Sequence, residues 1–431
     1  MKLELQKAKV KNIAWGDKTA LLADGTLQIN KEEFLAAAAD AEHFKTLDAD
    51  LARPGESVRI CPVKDVIEPR YKTEGAGQVF PGMLSDVETV GSGKTFVLEG
   101  AAVLTCGRIV GFQEGIIDMQ GAGADYTPFS KTMNAILVIE PVEGLEAHDY
   151  EKACRMAGFR AAFYIAEAAW KAGAHVDATE SYELPCFAEA MKAYPELPKV
   201  AYIYMLQTQG LLHDTYVYGV DAKKIIPSLI HPNETMDGAI VSGNCVSACD
   251  KNSTYVHLNN PVIRNLYDRH GKDINFVGVI ITNENVTLAD KKRSSSYAVK
   301  LATMLGVDGV IVSEEGFGNP DADLIMNCTK AEKAGIKTVL VTDEYAGRDG
   351  ASQSLADSAP EATAVVTAGN ANMMIVLPPM EKFIGFTDYV NIIAGGFDGS
   401  LRPDGSIEVE LQAITGATCE LGFNPISAKT W

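Results

Sequence analysis

Apolar and polar positions alternate over short stretches in the first 130 residues, then give way to longer runs with helical spacing. Lys2-Leu3-Glu4-Leu5, residues 21–29 and Thr95-Phe96-Val97-Leu98 read as strands bounded by Gly, Asp and Pro. Within the second, Leu22-Ala23-Asp24-Gly25-Thr26-Leu27 carries the Asp-Gly pair of a tight hairpin. One helix, over 31–41, interrupts the pattern. Residues 1–130 are therefore expected to form a β-rich module, a barrel or sandwich.

From residue 131 the reading is α/β. Residues 135–139 form a buried strand. A helix over 149–171 has Ala153, Ala157, Phe163, Ile165 and Ala169 at helical spacing, and 199–204 is another strand. Beyond residue 245, strands at 275–282, 309–312, 338–342 and 364–367 alternate with helices at 295–305 and 322–334. Such alternation predicts parallel βαβ units in a doubly wound, mainly parallel sheet in the C-terminal half. The expected division is a module over 1–130, an α/β segment over 131–244 and a doubly wound domain over 245–431. In such sheets the ligand crevice lies off the carboxyl ends of the strands, which places 313–319, 343–350 and 369–372 around one mouth.

Composition narrows the partners. With 38 Lys and Arg against 57 Asp and Glu, the 431-residue chain has a net charge of −19. So acidic a surface repels phosphate backbones and anionic lipid, which argues against nucleic acid and membrane as partners. The N-terminus lacks the apolar core of a secretory signal, and no apolar run is long enough to span a bilayer. A cytoplasmic protein is expected, its eight cysteines present as reduced thiols.

Several short motifs fail on inspection. Gly91-Ser92-Gly93-Lys94-Thr95 resembles the end of a phosphate-binding loop, but Glu88 stands where the first glycine belongs and a strand follows. Gly316-Phe317-Gly318 lacks the third glycine of a dinucleotide loop, so no nucleotide cofactor is expected. Cys245 and Cys249 form a C-x3-C pair with no second pair to complete a metal site, so no metal is expected. Cys249 could be structural, catalytic or redox-active. His213, followed by Asp214, is a candidate base on a polar stretch after the 199–204 strand. Tyr202 and Tyr204, and Tyr216 and Tyr218, have period-two spacing; each pair suits either core packing or an aromatic wall for an alkylated ammonium group.

Asn244-Cys245 carries different chemistry. It sits in Ser242-Gly243-Asn244-Cys245-Val246-Ser247-Ala248-Cys249-Asp250, among small and turn-forming residues. Attack of the cysteine sulfur on the preceding carbonyl would turn the amide into a thioester. Hydrolysis would then leave an N-terminal cysteine nucleophile. Elimination of the sulfur would instead leave dehydroalanine, which hydrolyses through an imine to a pyruvoyl ketone. Ser247 and Cys249 lie close enough in sequence to support either course.

Residues 238–252, Gly238-Ala239-Ile240-Val241-Ser242-Gly243-Asn244-Cys245-Val246-Ser247-Ala248-Cys249-Asp250-Lys251-Asn252, resemble the processing segment of the glycine/sarcosine/betaine reductase component B alpha/beta precursors. The resemblance extends to residues 52–60, 111–119, 205–214, 343–353 and 413–418, and so runs nearly end to end. It implies cleavage between Asn244 and Cys245 into a beta chain (1–244) and an alpha chain (245–431), with Cys245 converted to a pyruvoyl group. It further implies partners: a selenocysteine-containing gamma subunit of component B, and the selenoprotein component A. The pyruvoyl carbonyl would bind a small amino-acid substrate as a Schiff base, and a selenolate would displace the amine, leading to acetyl phosphate. The setting implied is amino-acid fermentation in anaerobes. Arg348, on a predicted site loop, is a candidate for the substrate carboxylate, and Tyr204 and Tyr216 are candidates for substrate contact. Glycine is the favoured substrate. Sarcosine or betaine reductase, an N-terminal cysteine amidohydrolase and a non-catalytic amino-acid binding module are the alternatives.

Overall fold

The computed structural model describes residues 1–111, 113–210, 212, 214–243 and 252–419. Two long antiparallel stretches dominate the N-terminal half. Val58–Ile67 continues into Arg70–Glu74, and Gly93–Glu99 continues into Ala101–Gly107. Both break at the same level, where Leu98 N donates to the Pro69 carbonyl (3.1 Å). Pro69 has no amide hydrogen to give and Gly100 takes φ 88°, so the ribbon turns there from one sheet into another.

The first sheet has the order Ala178–Glu183, Lys2–Lys9, Gly93–Glu99, Arg70–Glu74. The second has the order Gly115–Asp118, Val58–Ile67, Ala101–Gly107, Met133–Pro141, Phe44–Ala52. Together they make the β-rich, barrel-like part of the fold. The Asp24-Gly25 turn joins Ala20–Leu21 to Thr26–Ile29 as an antiparallel pair, and helix Lys31–Ala38 stops three residues short of its expected end. Helix Ala147–Lys171 lies across the ribbon with its alanine-rich face buried. Gly158 allows the approach: a Cβ there would come within 2.8 Å of Ile67 and Thr105.

The parallel sheet has the order Ser228–Ile230, Asn275–Asn283, Lys199–Leu206, Gly309–Ser313, Lys337–Glu344, Val365–Asn370, and only its first pairing is antiparallel. Helices Leu288–Met304 and Asn319–Lys333 connect its strands, as the alternation predicts. The sheet draws strands from both sides of residue 244, and Lys199–Leu206 is flanked by two strands from beyond it. Sequence also crosses in the other direction. Lys382–Gly385 pairs in parallel with Val58–Ile67, and Met374–Leu377 and Ile407–Glu410 pack with Cys61 and Ile116. No helix among the described residues is long and apolar enough to cross a membrane.

All ten residues of Val58–Ile67 are buried, including three charged ones, Arg59, Lys64 and Asp65. Arg59 pairs with Asp118 through two bonds (2.7 and 2.8 Å) and donates to the Pro378 carbonyl (2.8 Å). Burial pushes the Asp118 carboxyl up from its usual range against the opposing pull of Arg59. Desolvation therefore weighs heavily on this pair, and its two partners need each other to stay in the core.

Helix Thr254–Leu258 is buried beside the parallel sheet. Its His257 shares a 2.7 Å hydrogen bond between Nδ1 and the Tyr204 hydroxyl, and Nε2 has no partner among the described residues. Burial pushes the imidazole down to about 3.

Two outcomes follow from these buried groups. Asp118→Ala, which strands the Arg59 charge, should lower stability by about 3–5 kcal/mol in chemical denaturation; a loss under about 1 kcal/mol would contradict the pairing. Below pH ~6.5 the unfolded chain protonates His257 while the folded chain does not, so folding weakens as pH falls toward about 3. His257→Gln should remove about 2 kcal/mol of that loss between pH 6.5 and 5, seen as a flatter dependence of Tm on pH.

Candidate functional site

Asn244, Cys245, Ser247, Cys249 and His213 lie outside the described residues. The chain on either side of 244–251 is described, and its anchorage defines the site. Strand Ile240–Ser242 pairs antiparallel with Thr215–Val217. Gly243 N donates to the Asp214 carbonyl (2.7 Å), and the Gly243 carbonyl accepts from Lys64 Nζ (2.6 Å). On the far side, Asn252 N donates to Glu315 Oε2 (3.3 Å) and Asn252 Oδ1 accepts from Cys419 Sγ (3.3 Å). Thr254 donates to Asp65 through its amide (2.9 Å) and its hydroxyl (2.6 Å). The same hydroxyl oxygen accepts from Ser242 N (3.0 Å), which ties the two flanks together.

Glu315 places this junction at the carboxyl edge of the parallel sheet, because it follows strand Gly309–Ser313 directly. Polar residues just past the strand ends knit that edge together. Gln207 Nε2 donates to the Glu315 carbonyl (3.0 Å), and Glu315 N donates to Glu284 Oε1 (2.7 Å). Thr208 donates to the Glu284 carbonyl, and Thr342 donates to Glu314 Oε1. The second Glu314 oxygen has no partner among the described residues. Burial, with Asp321, Glu284 and Asp343 nearby, holds the Glu314 carboxyl well above its ordinary range, which favours its neutral form. A neutral, buried carboxylic acid at a strand end is suited to proton transfer.

Beneath Gly243 lies a buried charge relay. Lys64 pairs with Glu151 (3.3 Å), Glu151 with Arg155 (3.0 Å), and Arg155 donates to the Tyr216 hydroxyl (3.2 Å). The Arg155 guanidinium also covers the Tyr216 ring at 4.2 Å. Tyr216 thus stands next to the flank of the segment, opposite Val241 in the strand pairing. Tyr204 is wholly buried, stacked on Tyr202 (5.0 Å between centroids) and bonded to His257. Arg348 sits on the loop after Lys337–Glu344, half-exposed, with Nε on Glu410 (3.0 Å) and its guanidinium over Phe397 (5.3 Å). The three loops expected at one mouth do touch: Phe317 stacks on Tyr345 (4.2 Å), and Asn370 accepts from Ala346 N (3.0 Å).

Sequence reasoning did not single out Lys64, Asp65, Glu151 or Arg155. Two signals were present: three charges inside the otherwise apolar run 58–67, and an i,i+4 acid–base pair on the alanine-rich face of a helix. Among the described residues, no group of three His, Cys, Asp or Glu side chains could hold a metal ion.

The family model for glycine/sarcosine/betaine reductase component B subunits matches residues 1–429. The "Glycine reductase complex component B subunits alpha and beta" of Acetoanaerobium sticklandii is 65% identical over the full length of both chains. The protein of the same name from Peptoclostridium acidaminophilum is 63% identical, again over both full lengths. The "Sarcosine reductase complex component B subunit alpha" of P. acidaminophilum is 56% identical, with the same complete coverage. No solved structure matches the chain. The polypeptide, with a buried polar edge to its parallel sheet and the flanks of 244–251 anchored between that edge and the strand Val58–Ile67, belongs to the family of glycine/sarcosine/betaine reductase component B subunits.

Proposed function

We propose that this chain is the precursor of the substrate-binding subunits of a glycine reductase component B, cut between Asn244 and Cys245 and bearing a pyruvoyl group derived from Cys245. The observation that carries the reading is the anchorage of the two flanks, Gly243 by Lys64 of Val58–Ile67 and Asn252 by Glu315 at the carboxyl edge of the parallel sheet, where ligand crevices form. The names of the two glycine reductase relatives support it, since each describes two subunits over one polypeptide of matching length. Their identities exceed that of the sarcosine relative, which favours glycine.

Self-cleavage begins when the Cys245 sulfur attacks the Asn244 carbonyl carbon. The C–N bond breaks, the amine of residue 245 is released, and a thioester forms. Elimination opens the Cβ–S bond, leaving a thiocarboxylate on Asn244 and dehydroalanine at position 245. The dehydroalanine tautomerises to an imine, and water converts it to the ketone with release of ammonia. Water also hydrolyses the thiocarboxylate, releasing hydrogen sulfide. The buried polar edge fits such a group, because Glu314, its carboxyl held well above the usual range by burial, lies beside the Glu315 that holds Asn252. A pyruvoyl ketone supplies an electrophile that condenses with a substrate amine and makes its nitrogen a better leaving group.

The chain's part is to bind and activate the amine; the displacing selenolate comes from a separate selenoprotein, with the gamma subunit completing component B. The protein would work in the cytoplasm of an amino-acid-fermenting anaerobe. His213, Ser247, Cys249, Tyr204, Tyr216 and Arg348 remain proposed supporting or substrate-contacting residues. Of these, Tyr216 has the best-supported position, beside the flank of the segment.

Intact mass spectrometry of the native complex tests the reading. Expected are a fragment ending at Asn244 and a second fragment beginning with a pyruvoyl group, with Cys245→Ala left uncut. Borohydride should then fix radiolabelled glycine, but not betaine, to the second fragment. A free cysteine at its start would favour the amidohydrolase, and full-length chain alone in active complex would exclude self-cleavage.

A further inference from the structure

The strand Val58–Ile67 contains an irregularity where it meets Ala101–Gly107. Val63 pairs with Cys106 and Asp65 with Thr105, so Lys64 is an extra residue, a β-bulge. In a regular strand, consecutive side chains point to opposite faces; a bulge re-aims them. Here Lys64 and Asp65 both reach the chain around 244–251, Lys64 through the Gly243 carbonyl and Asp65 through Thr254. Both side chains are buried.

We infer that Lys64 and Asp65 form a two-pronged clamp that positions the 244–251 segment for self-cleavage. This rests on the function proposed above and goes beyond it by assigning maturation to two residues 179 and 189 positions away from their contacts in sequence. The Lys64 ammonium is wholly buried, so it needs both the Glu151 carboxylate and the Gly243 carbonyl. That need fixes the Gly243 carbonyl, which immediately precedes Asn244 in the sequence. The Asp65 prong fixes the other flank: Thr254 gives it two hydrogens and takes one from Ser242, so the segment's ends stay in register with each other. A reaction between adjacent residues depends on the angle at which sulfur meets carbonyl carbon, and a displacement of about 1 Å can cost about 100-fold in rate. Lys64 and Asp65 are positioning residues; the reacting atoms belong to Asn244 and Cys245.

The test uses the full-length chain co-expressed with its complex, following cleavage by intact mass over time. Hydroxylamine, which captures thioesters, separates the first step from the elimination. Lys64→Met combined with Glu151→Gln avoids a stranded buried charge. It should slow cleavage by about 100-fold and lower the yield of hydroxylamine-trapped thioester, while Lys64→Arg recovers part of the rate. A folded double variant that cleaves at the wild-type rate overturns the inference. Should it not fold, Thr254→Val, which leaves the Lys64–Glu151 pair intact, carries the same test through the other prong. Slowed cleavage in folded Thr254→Val supports the clamp, and wild-type cleavage overturns it. A wild-type chain that is never cut in active complex defeats the proposed function itself, and a cut wild type with unaffected variants defeats the clamp alone.

Discussion

Charge buried in the strand Val58–Ile67 is the constraint on which the rest of this structure depends. Arg59, Lys64 and Asp65 cannot be solvated there, so each must find a partner inside the protein. Those partners come from everywhere else in the chain. Asp118 and the Pro378 carbonyl serve Arg59; Glu151 and the Gly243 carbonyl serve Lys64; Thr254 serves Asp65. One strand thereby fixes a helix, a C-terminal loop and both flanks of residues 244–251. Any arrangement that moved one of these pieces would leave an ion without a counterpart in the core.

The parallel sheet meets this framework at its carboxyl edge. Glu284, Glu314, Glu315 and Asp343 crowd together there, and burial holds the Glu314 carboxyl well above its usual range. Hydrogen bonds running from Gln207 through Glu315 to Glu284 convert that crowding into a fixed polar wall. The framework holds one side of the segment and the wall holds the other, through Asn252. Neither sheet alone would make the site.

Much of the fold was legible in the sequence, because its signals were local. The continuous apolar runs at 275–282 and 309–312 fit strands covered on both faces, and the alanine spacing from 153 to 169 fits a helix lying on a sheet. Asp24-Gly25 read correctly as a turn because the pair alone favours that backbone. Asn244-Cys245 drew attention through its own chemistry. The clamp was not legible, because a lysine and an aspartate in a strand ordinarily face water, and their partners lie 179 and 189 residues away. Arg348 does lie on a loop, after strand Lys337–Glu344. The structure adds that its charge is already engaged by Glu410.

Strand Lys199–Leu206 lies between two strands from beyond residue 244, and Lys382–Gly385 lies against a strand from far before it. A cut at 244 would therefore not release two docked subunits. It would yield two fragments woven through shared sheets, comparable to the halves of a split protein that complement only by folding together. Such halves could be exchanged between molecules only by unfolding. Topology would then set the order of events: folding first, the cut second, with the stoichiometry of the two chains inherited from a single polypeptide.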